Sequence, residues 1–205
     1  MKVLVINGSA HKKNTTWRAL DEIVRTLESD GIEAEFVNIG ADLMGCLGCG
    51  TCKKSGRCVR DDSVNKIAEK LDEIDGLVVG SPTYYASPSG SLISFLDRLF
   101  YSAGSKLNKK PAAAVVVARR GGTTAALDVL NKYFMINEMP VVSSTYWNMV
   151  HGFNPEDAEK DLEGLQTMRN LAHNMAWLIK AIEAGKKAGI EPPVSELCNM
   201  THFIG

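Results

Sequence analysis

The stretch that decides the fold is KVLVINGSAHKKNTT, residues 2–16. It begins with a short apolar run, Lys2 to Ile6, of the kind that forms a buried parallel strand. A turn follows at Gly8 and Ser9, and from Asn14 onward apolar residues recur at the spacing that places them on one face of a helix. The stretch therefore predicts a strand, a polar loop and a helix in immediate succession.

The alternation of strand and helix continues along the chain. Four further runs are apolar or alternate in polarity and are predicted to be strands: residues 33–39, 76–80, 111–118 and 141–147. The last predicted helix has Asn154 as its N-cap and Pro155 at its first position, and it runs to Ile182. Strands that alternate with helices predict a parallel sheet with helices on both faces. Because the second strand is polar and suits an edge, we expect a doubly wound α/β fold with five parallel strands in the flavodoxin-like order 2-1-3-4-5.

Composition and charge argue against several classes of protein. Of the 205 residues, 45% are hydrophobic and 23% are charged, which is typical of a globular domain and not of a disordered chain. The 23 basic and 24 acidic residues nearly cancel, so no nucleic-acid partner is expected. The longest apolar run, Ala112 to Ala118, is too short to span a bilayer, and the N-terminus has no signal-peptide core. We expect one domain over residues 1–185, a tail over 186–205, no membrane partner and a cytoplasmic location.

Four of the five cysteines lie close together in a glycine-rich loop, residues 45–60. Their spacing is Cys46-x2-Cys49-x2-Cys52-x5-Cys58. In a cytoplasmic chain such a group indicates metal binding or redox chemistry rather than disulfides, and Cys198 is remote from it. Four thiolates at this spacing suit a 4Fe–4S cluster or a zinc ion, and the compact run is closer to iron–sulfur spacing than to a zinc ribbon. Reduced thiols in a flexible loop are the third alternative.

Three further loops follow strands at the edge where doubly wound sheets bind ligands. The first, residues 7–16, offers hydroxyls and a helix N-terminus that suit a monophosphate such as that of FMN, and it lacks the triphosphate and dinucleotide motifs. The loop 81–88 carries a proline and adjacent tyrosines that could form a wall for a planar ligand. In the loop 119–124, Arg119 could lie near the pyrimidine end of a flavin. An ordinary helix cap, a proline turn and a surface arginine are the respective alternatives.

Several motifs together resemble those of a known family, the iron–sulfur flavoproteins within the NAD(P)H-dependent FMN reductase group, along nearly the whole chain. The motifs are Gly8-Ser9-x5-Thr15, the cysteine run with Cys58-Val59-x-Asp61-Asp62, Ser81-Pro82-x-Tyr84 ahead of Phe95-x-Asp97-Arg98, and Gly152-x-Asn154-Pro155-x2-Ala158-x2-Asp161. The resemblance implies a flavodoxin-like fold, FMN near the subunit interface of a homodimer or homotetramer, and a 4Fe–4S cluster in members that keep all four cysteines.

The resemblance also implies which residues bind the cofactors. The FMN phosphate would be held by Ser9, Asn14, Thr15 and Thr16. The isoalloxazine would be lined by Pro82, Thr83, Tyr84 and Tyr85, with Gly121, Gly122 and Thr123 at its other edge. The cluster would be held by Cys46, Cys49, Cys52 and Cys58.

The function expected on this basis is electron transfer through FMN. NAD(P)H or a ferredoxin-like partner would supply the electrons, a 4Fe–4S cluster would pass them on singly, and the acceptor is not identified. Because the chemistry belongs to the flavin, no side chain is expected to act as a catalytic acid or base. The alternatives are a cluster-free reductase of quinones, azo or nitro compounds or free flavin, a non-enzymatic electron carrier, and a zinc-stabilised regulatory module.

Overall fold

A computed structural model describes residues 1–196, 199 and 201–202, so the remote Cys198 lies outside the described residues. The strands are β1 (Lys2–Asn7), β2 (Glu33–Asn38), β3 (Gly76–Tyr84), β4 (Ser87–Pro88), β5 (Ala112–Ala118) and β6 (Met149–His151). The α-helices are α1 (Thr15–Ser29), α2 (Thr51–Ser55), α3 (Ser63–Ala68), α4 (Gly90–Ala103), α5 (Thr123–Ile136), α6 (Pro155–Ala158) and α7 (Leu162–Lys187). Two 3₁₀ turns lie at Leu71–Glu73 and Gly104–Leu107.

The main sheet is parallel, with the strand order β2-β1-β3-β5-β6. The predicted parallel α/β architecture is confirmed, but the structure has six strands in all rather than the predicted five. Residues 81–84, predicted to lie in a loop, continue β3 and pair with the antiparallel β4, which makes six strands. Pro82 is tolerated in a strand here because β1 pairs with β3 only as far as Gly80, so that side of β3 needs no further N–H donor.

Helices cover both faces of the sheet and bury its apolar side chains. On one face α1 and α7 pack on residues such as Val5 and Val115, and on the other face α3, α4 and α5 pack on residues such as Ile6 and Val116. All the residues of β5 are buried, as expected for a central parallel strand. The two layers of helices hold the strand ends, and the loops that follow them, in fixed positions.

The last strand lies further along the chain than predicted. Within the predicted strand 141–147, Val141 forms an isolated bridge with Ala112, and the chain returns to β5 only at β6. Tyr146 and Trp147 are both more than half exposed, whereas Met149 and Val150 are buried. The aromatic residues favoured a strand by local propensity, but burial against the core selects the residues that follow them.

The predicted C-terminal helix is divided into α6 and α7. Asn154 caps α6 by accepting from the Asp157 backbone N–H (2.8 Å), with Pro155 at the first position as predicted. Asp161 then begins a second helix by accepting from the Gly164 backbone N–H (2.9 Å). The periodic apolar residues continue through both helices, which is why a single helix was predicted. Among the residues that the structure describes, no helix is long and apolar enough to cross a membrane.

Candidate functional site

The loop between β1 and α1 is organised by hydrogen bonds of its own side chains. Asn14 Oδ1 accepts from the Trp17 backbone N–H (3.0 Å) and caps α1, while Asn14 Nδ2 donates to Ser9 Oγ (2.6 Å). The same serine oxygen accepts from the His11 backbone N–H (3.1 Å). The first turn of α1 has backbone N–H groups without helical partners, so the loop suits an anionic group.

Two buried threonine hydroxyls at the carboxyl edge of the sheet make no hydrogen bond within the described part of the chain. They are Thr16 Oγ1, in the first turn of α1, and Thr83 Oγ1, near the end of β3. Thr16 is completely buried. A buried polar group without a partner costs about 1–3 kcal/mol, so both hydroxyls suit a ligand that brings polar atoms to this edge.

Gly8 brings the first loop into contact with β3. Its backbone N–H donates to the Gly80 carbonyl oxygen (2.8 Å), and its own carbonyl accepts from the Ser89 hydroxyl (2.6 Å). A Cβ atom at Gly8 would lie 2.7 Å from Leu92 Cδ2 and 2.9 Å from the Gly80 oxygen. A side chain at this position would therefore force the loop away from the strand.

Tyr85 and Ala86 form the two-residue turn that joins β3 to β4. Both have positive φ angles, 50° and 61°, which primed hairpin turns require and which glycine or asparagine usually supplies. Tyr85 is fully exposed and Tyr84 is 48% exposed, so both rings are accessible to a planar ligand. Non-glycine residues in this backbone region carry strain, and such strain is concentrated at functional sites.

Gly122 packs the loop before α5 against this turn. Its φ angle is 92°, and a Cβ atom there would lie 2.9 Å from Ala86 Cα and 3.2 Å from Thr83 Cγ2. The neighbouring Thr123 is buried and donates from Oγ1 to Met149 Sδ (3.3 Å). The loops that follow β3 and β5 are therefore in direct contact at the carboxyl edge.

All the residues predicted to bind FMN lie at this edge, at or just beyond the ends of β1, β3 and β5. They are Ser9, Asn14, Thr15, Thr16, Pro82, Thr83, Tyr84, Tyr85, Arg119, Gly121, Gly122 and Thr123. Ser9, Thr15, Thr16 and Thr123 are buried, whereas Arg119 is exposed. Their role in holding FMN stays a prediction.

The four clustered cysteines line a single cavity of about 160 Å³, together with Arg98 and Tyr101 of α4. All four are free thiols, and a hydrogen bond between Cys49 Sγ and Thr51 Oγ1 (3.4 Å) lowers the pKa of the Cys49 thiol. In the described ranges, no three His, Cys, Asp or Glu side chains are arranged to hold a metal ion. The thiols thus surround a shared space without converging on one point.

The backbone at Cys58 is fixed by a buried side chain. Asn65 Oδ1 accepts from the Cys58 N–H (3.0 Å), and Asn65 Nδ2 donates to the Cys58 carbonyl oxygen (3.0 Å). Asn65 belongs to α3 and is only 1% exposed. The end of the cysteine loop is therefore anchored to the domain by groups that require no metal.

The cysteine cavity lies along α4 rather than at its start. Ser89, the N-cap of α4, contacts Gly8 at the carboxyl edge, whereas Arg98 lies eight residues further along the helix than Gly90. At 1.5 Å per residue this separation is about 12 Å. The cavity and the loop between β1 and α1 are thus distinct places on one chain, linked by α4.

Sequence reasoning missed the contributions of Arg98 and Asn65. Both side chains are buried at 1% exposure, although arginine and asparagine are usually at the surface. The available signal was the position of Arg98 within the apolar stripe Leu92, Phe95, Leu96 and Leu99, because a charged residue inside such a stripe requires a buried partner.

Comparisons with known proteins identify the family of the chain. The family described as NADPH-dependent FMN reductase matches residues 1–154. An iron–sulfur flavoprotein from Methanocaldococcus jannaschii is 33% identical over 192 residues, covering 89% of this chain and 100% of the relative. Another, from Methanosarcina thermophila, is 27% identical over 191 residues, covering 91% and 99% respectively.

Solved structures support the fold. The flavodoxin, WrbA-like protein from Agrobacterium tumefaciens superimposes with a TM-score of 0.64 at 19% identity, covering 88% of this chain and 98% of that one. The flavodoxin-like architecture predicted from the sequence is thereby confirmed. The chain belongs to the NADPH-dependent FMN reductase family, whose members are flavodoxin-like, FMN-dependent oxidoreductases, and it is similar to relatives named iron–sulfur flavoproteins.

Proposed function

We propose that this FMN-dependent protein takes electrons from NAD(P)H, or from a ferredoxin-like partner, and that its four clustered cysteines hold a 4Fe–4S cluster. The observation that carries the proposal is the single cavity lined by all four thiols on a chain of this family. When bound, FMN supplies both two-electron and one-electron chemistry, and a cluster supplies one-electron transfer.

The first loop and the hairpin would hold FMN. Ser9, Asn14, Thr15 and Thr16 would bind the phosphate. This would give an acceptor to the Thr16 hydroxyl, which has no partner in the part of the chain that the structure describes. Pro82, Thr83, Tyr84 and Tyr85 would line the isoalloxazine, and Arg119, Gly121, Gly122 and Thr123 would lie at its other edge. These residues would bind and orient FMN and exclude water from it, and none of them is required to transfer a proton.

The cysteine spacing favours a cluster over a single zinc ion, because the compact run Cys46-x2-Cys49-x2-Cys52-x5-Cys58 is closer to iron–sulfur spacing than to a zinc ribbon. Each iron of a 4Fe–4S cluster takes its own cysteine, and all four thiols line one cavity. The similar relatives from two archaea are both named iron–sulfur flavoproteins, which supports the same assignment.

A second copy of the chain would cover the carboxyl edge of the sheet. Tyr85 and Phe153, which follow β3 and β6, are fully exposed and 77% exposed respectively. Aromatic side chains are enriched in protein interfaces. A homodimer or homotetramer with FMN near the interface would shield these rings from water.

Anaerobic reduction tests the proposed donor. We expect NADPH or NADH to bleach the visible flavin absorbance of the FMN-loaded protein. Bleaching by reduced ferredoxin but by neither nicotinamide would identify the chain as an electron carrier. Turnover with NAD(P)H that is unaffected by Cys46→Ala would favour a cluster-free reductase.

Replacing Thr16 with valine is expected to weaken FMN binding by about 10–150-fold, because it removes one hydrogen bond to a charged group, worth about 1.5–3 kcal/mol. The cofactor-free protein should melt at the same temperature or higher, because the variant removes a buried hydroxyl that has no partner in the described residues. Fluorescence titration of FMN into the cofactor-free protein measures the affinity.

Thr26→Val is the matched control, since the Thr26 hydroxyl donates to the Glu22 carbonyl (2.8 Å) within the same helix. It should leave FMN affinity unchanged. Equal affinities for the Thr16 variant and the unaltered protein would show that the phosphate is held elsewhere.

A further inference from the structure

Arg98 is a buried arginine whose guanidinium contacts one of the clustered cysteines. Its Nε–H donates to Cys58 Sγ at 3.2 Å. The two terminal nitrogens donate to both carboxylate oxygens of Asp62, at 2.7 and 2.9 Å, and to the carbonyl oxygens of Met44 (3.3 Å) and Arg60 (3.2 Å). These five contacts match the five N–H donors of a guanidinium, so its orientation is fixed.

The two carbonyl contacts lie at opposite ends of the cysteine loop. Met44 precedes Cys46 by two residues and Arg60 follows Cys58 by two, so one side chain of α4 joins both ends of the loop. The bidentate carboxylate of Asp62 offsets the positive charge of Arg98 and so compensates part of the desolvation cost of burying the guanidinium. The N–H that reaches Cys58 is therefore held in place by the whole set of contacts.

We propose that Arg98 is a positioning residue that raises the reduction potential of the cluster through its hydrogen bond to Cys58, and that Asp62 limits this effect by offsetting the charge. The proposal rests on the cluster assignment made above. A donor aimed at a ligand sulfur stabilises negative charge on the cluster, and the reduced form carries one electron more than the oxidised form. The reduced form gains more from the contact, so the potential rises.

Two substitutions are expected to move the potential in opposite directions. Arg98→Lys keeps a positive charge but removes the planar fork, and with it the directed Nε–H to Cys58. Asp62→Asn leaves the arginine charge without its carboxylate partner, and the amide oxygen can still cap α3 at the Val64 N–H. Relative to the unaltered protein, the midpoint should become more negative in the first variant and more positive in the second.

The experiment is a redox titration of the FMN- and cluster-loaded protein, followed by electron paramagnetic resonance. A tenfold change in the ratio of reduced to oxidised cluster corresponds to 59 mV for one electron, and we expect Arg98→Lys to shift the midpoint by about this amount. Arg57→Lys is the control, because Arg57 is exposed and pairs with Asp61 and Glu69 instead of the cavity.

The outcomes separate this inference from the proposed function. Iron and sulfide missing from the unaltered protein would overturn both. A loaded cluster whose midpoint is the same in Arg98→Lys, Asp62→Asn and Arg57→Lys would overturn the role of Arg98 alone. Lower iron content without a change in midpoint would also overturn it, because that result indicates a structural contact only.

Discussion

Cys58→Ser should reduce the iron content of the purified protein from about four atoms per chain to a small fraction of that. The reason is that four cysteine thiolates hold a 4Fe–4S cluster and this variant removes one of them. The domain should still fold. Asn65 holds the backbone N–H and carbonyl of residue 58, and a serine side chain leaves both contacts in place.

This result is measured by iron and sulfide assays together with the melting temperature. FMN should remain bound, because the residues predicted to hold it lie at the carboxyl edge of the sheet, away from the cysteine cavity. Cys198→Ser is the matched control, because that cysteine lies far from the motif in sequence. The Cys198→Ser protein should contain as much iron as the unaltered protein. Loss of secondary structure in Cys58→Ser would contradict the expectation that the domain folds without the cluster.

Gly8→Ala is expected to impair both stability and FMN binding. The new Cβ would meet the Gly80 carbonyl oxygen at 2.9 Å, and this oxygen is backbone that cannot rotate away. Overpacking of this kind costs about 1–3 kcal/mol, which corresponds to a fall in melting temperature of about 2–12 °C for a chain of this size. The loop, including Ser9, must shift. We therefore expect FMN affinity to fall at least tenfold, which corresponds to a loss of about 1.4 kcal/mol or more of binding free energy.

Gly90→Ala serves as the control for this variant. Gly90 is the first residue of α4, close to the same edge, and a Cβ atom there would meet nothing within 4 Å. It should keep FMN affinity and stability close to those of the unaltered protein. If Gly8→Ala binds FMN as tightly as Gly90→Ala does, the loop between β1 and α1 does not form the phosphate site.

The parallel sheet could be predicted because its signals are local. The apolar run of β1, the Asn14 cap and the helical stripe of α1 all lie within one short stretch. The extension of β3 through Pro82 could not be predicted, because the turn signal of Ser81-Pro82 is local whereas the pairing with Val117 depends on the assembled sheet. The same holds for β6, which burial places after Trp147 rather than before it.

The cysteine motif could be recognised from its spacing alone, whereas the residues around it could not be predicted. Arg98 meets Asp62 and Cys58 across 36 and 40 residues of sequence, so no local pattern indicates the contact. The family resemblance implied a role for Thr16, but burial is needed to see that its hydroxyl has no partner among the described residues. The cysteines alone indicate where the site lies, whereas the packing of α3 and α4 determines which side chains contact it.

The most direct test of the central claim is an ultraviolet–visible spectrum of protein purified without oxygen, with iron and acid-labile sulfide assayed on the same sample. The account predicts flavin bands over a broad charge-transfer absorbance, with about four irons and four sulfides per chain. Flavin bands without iron would contradict it, and would leave an FMN-dependent reductase whose four clustered thiols hold no cluster.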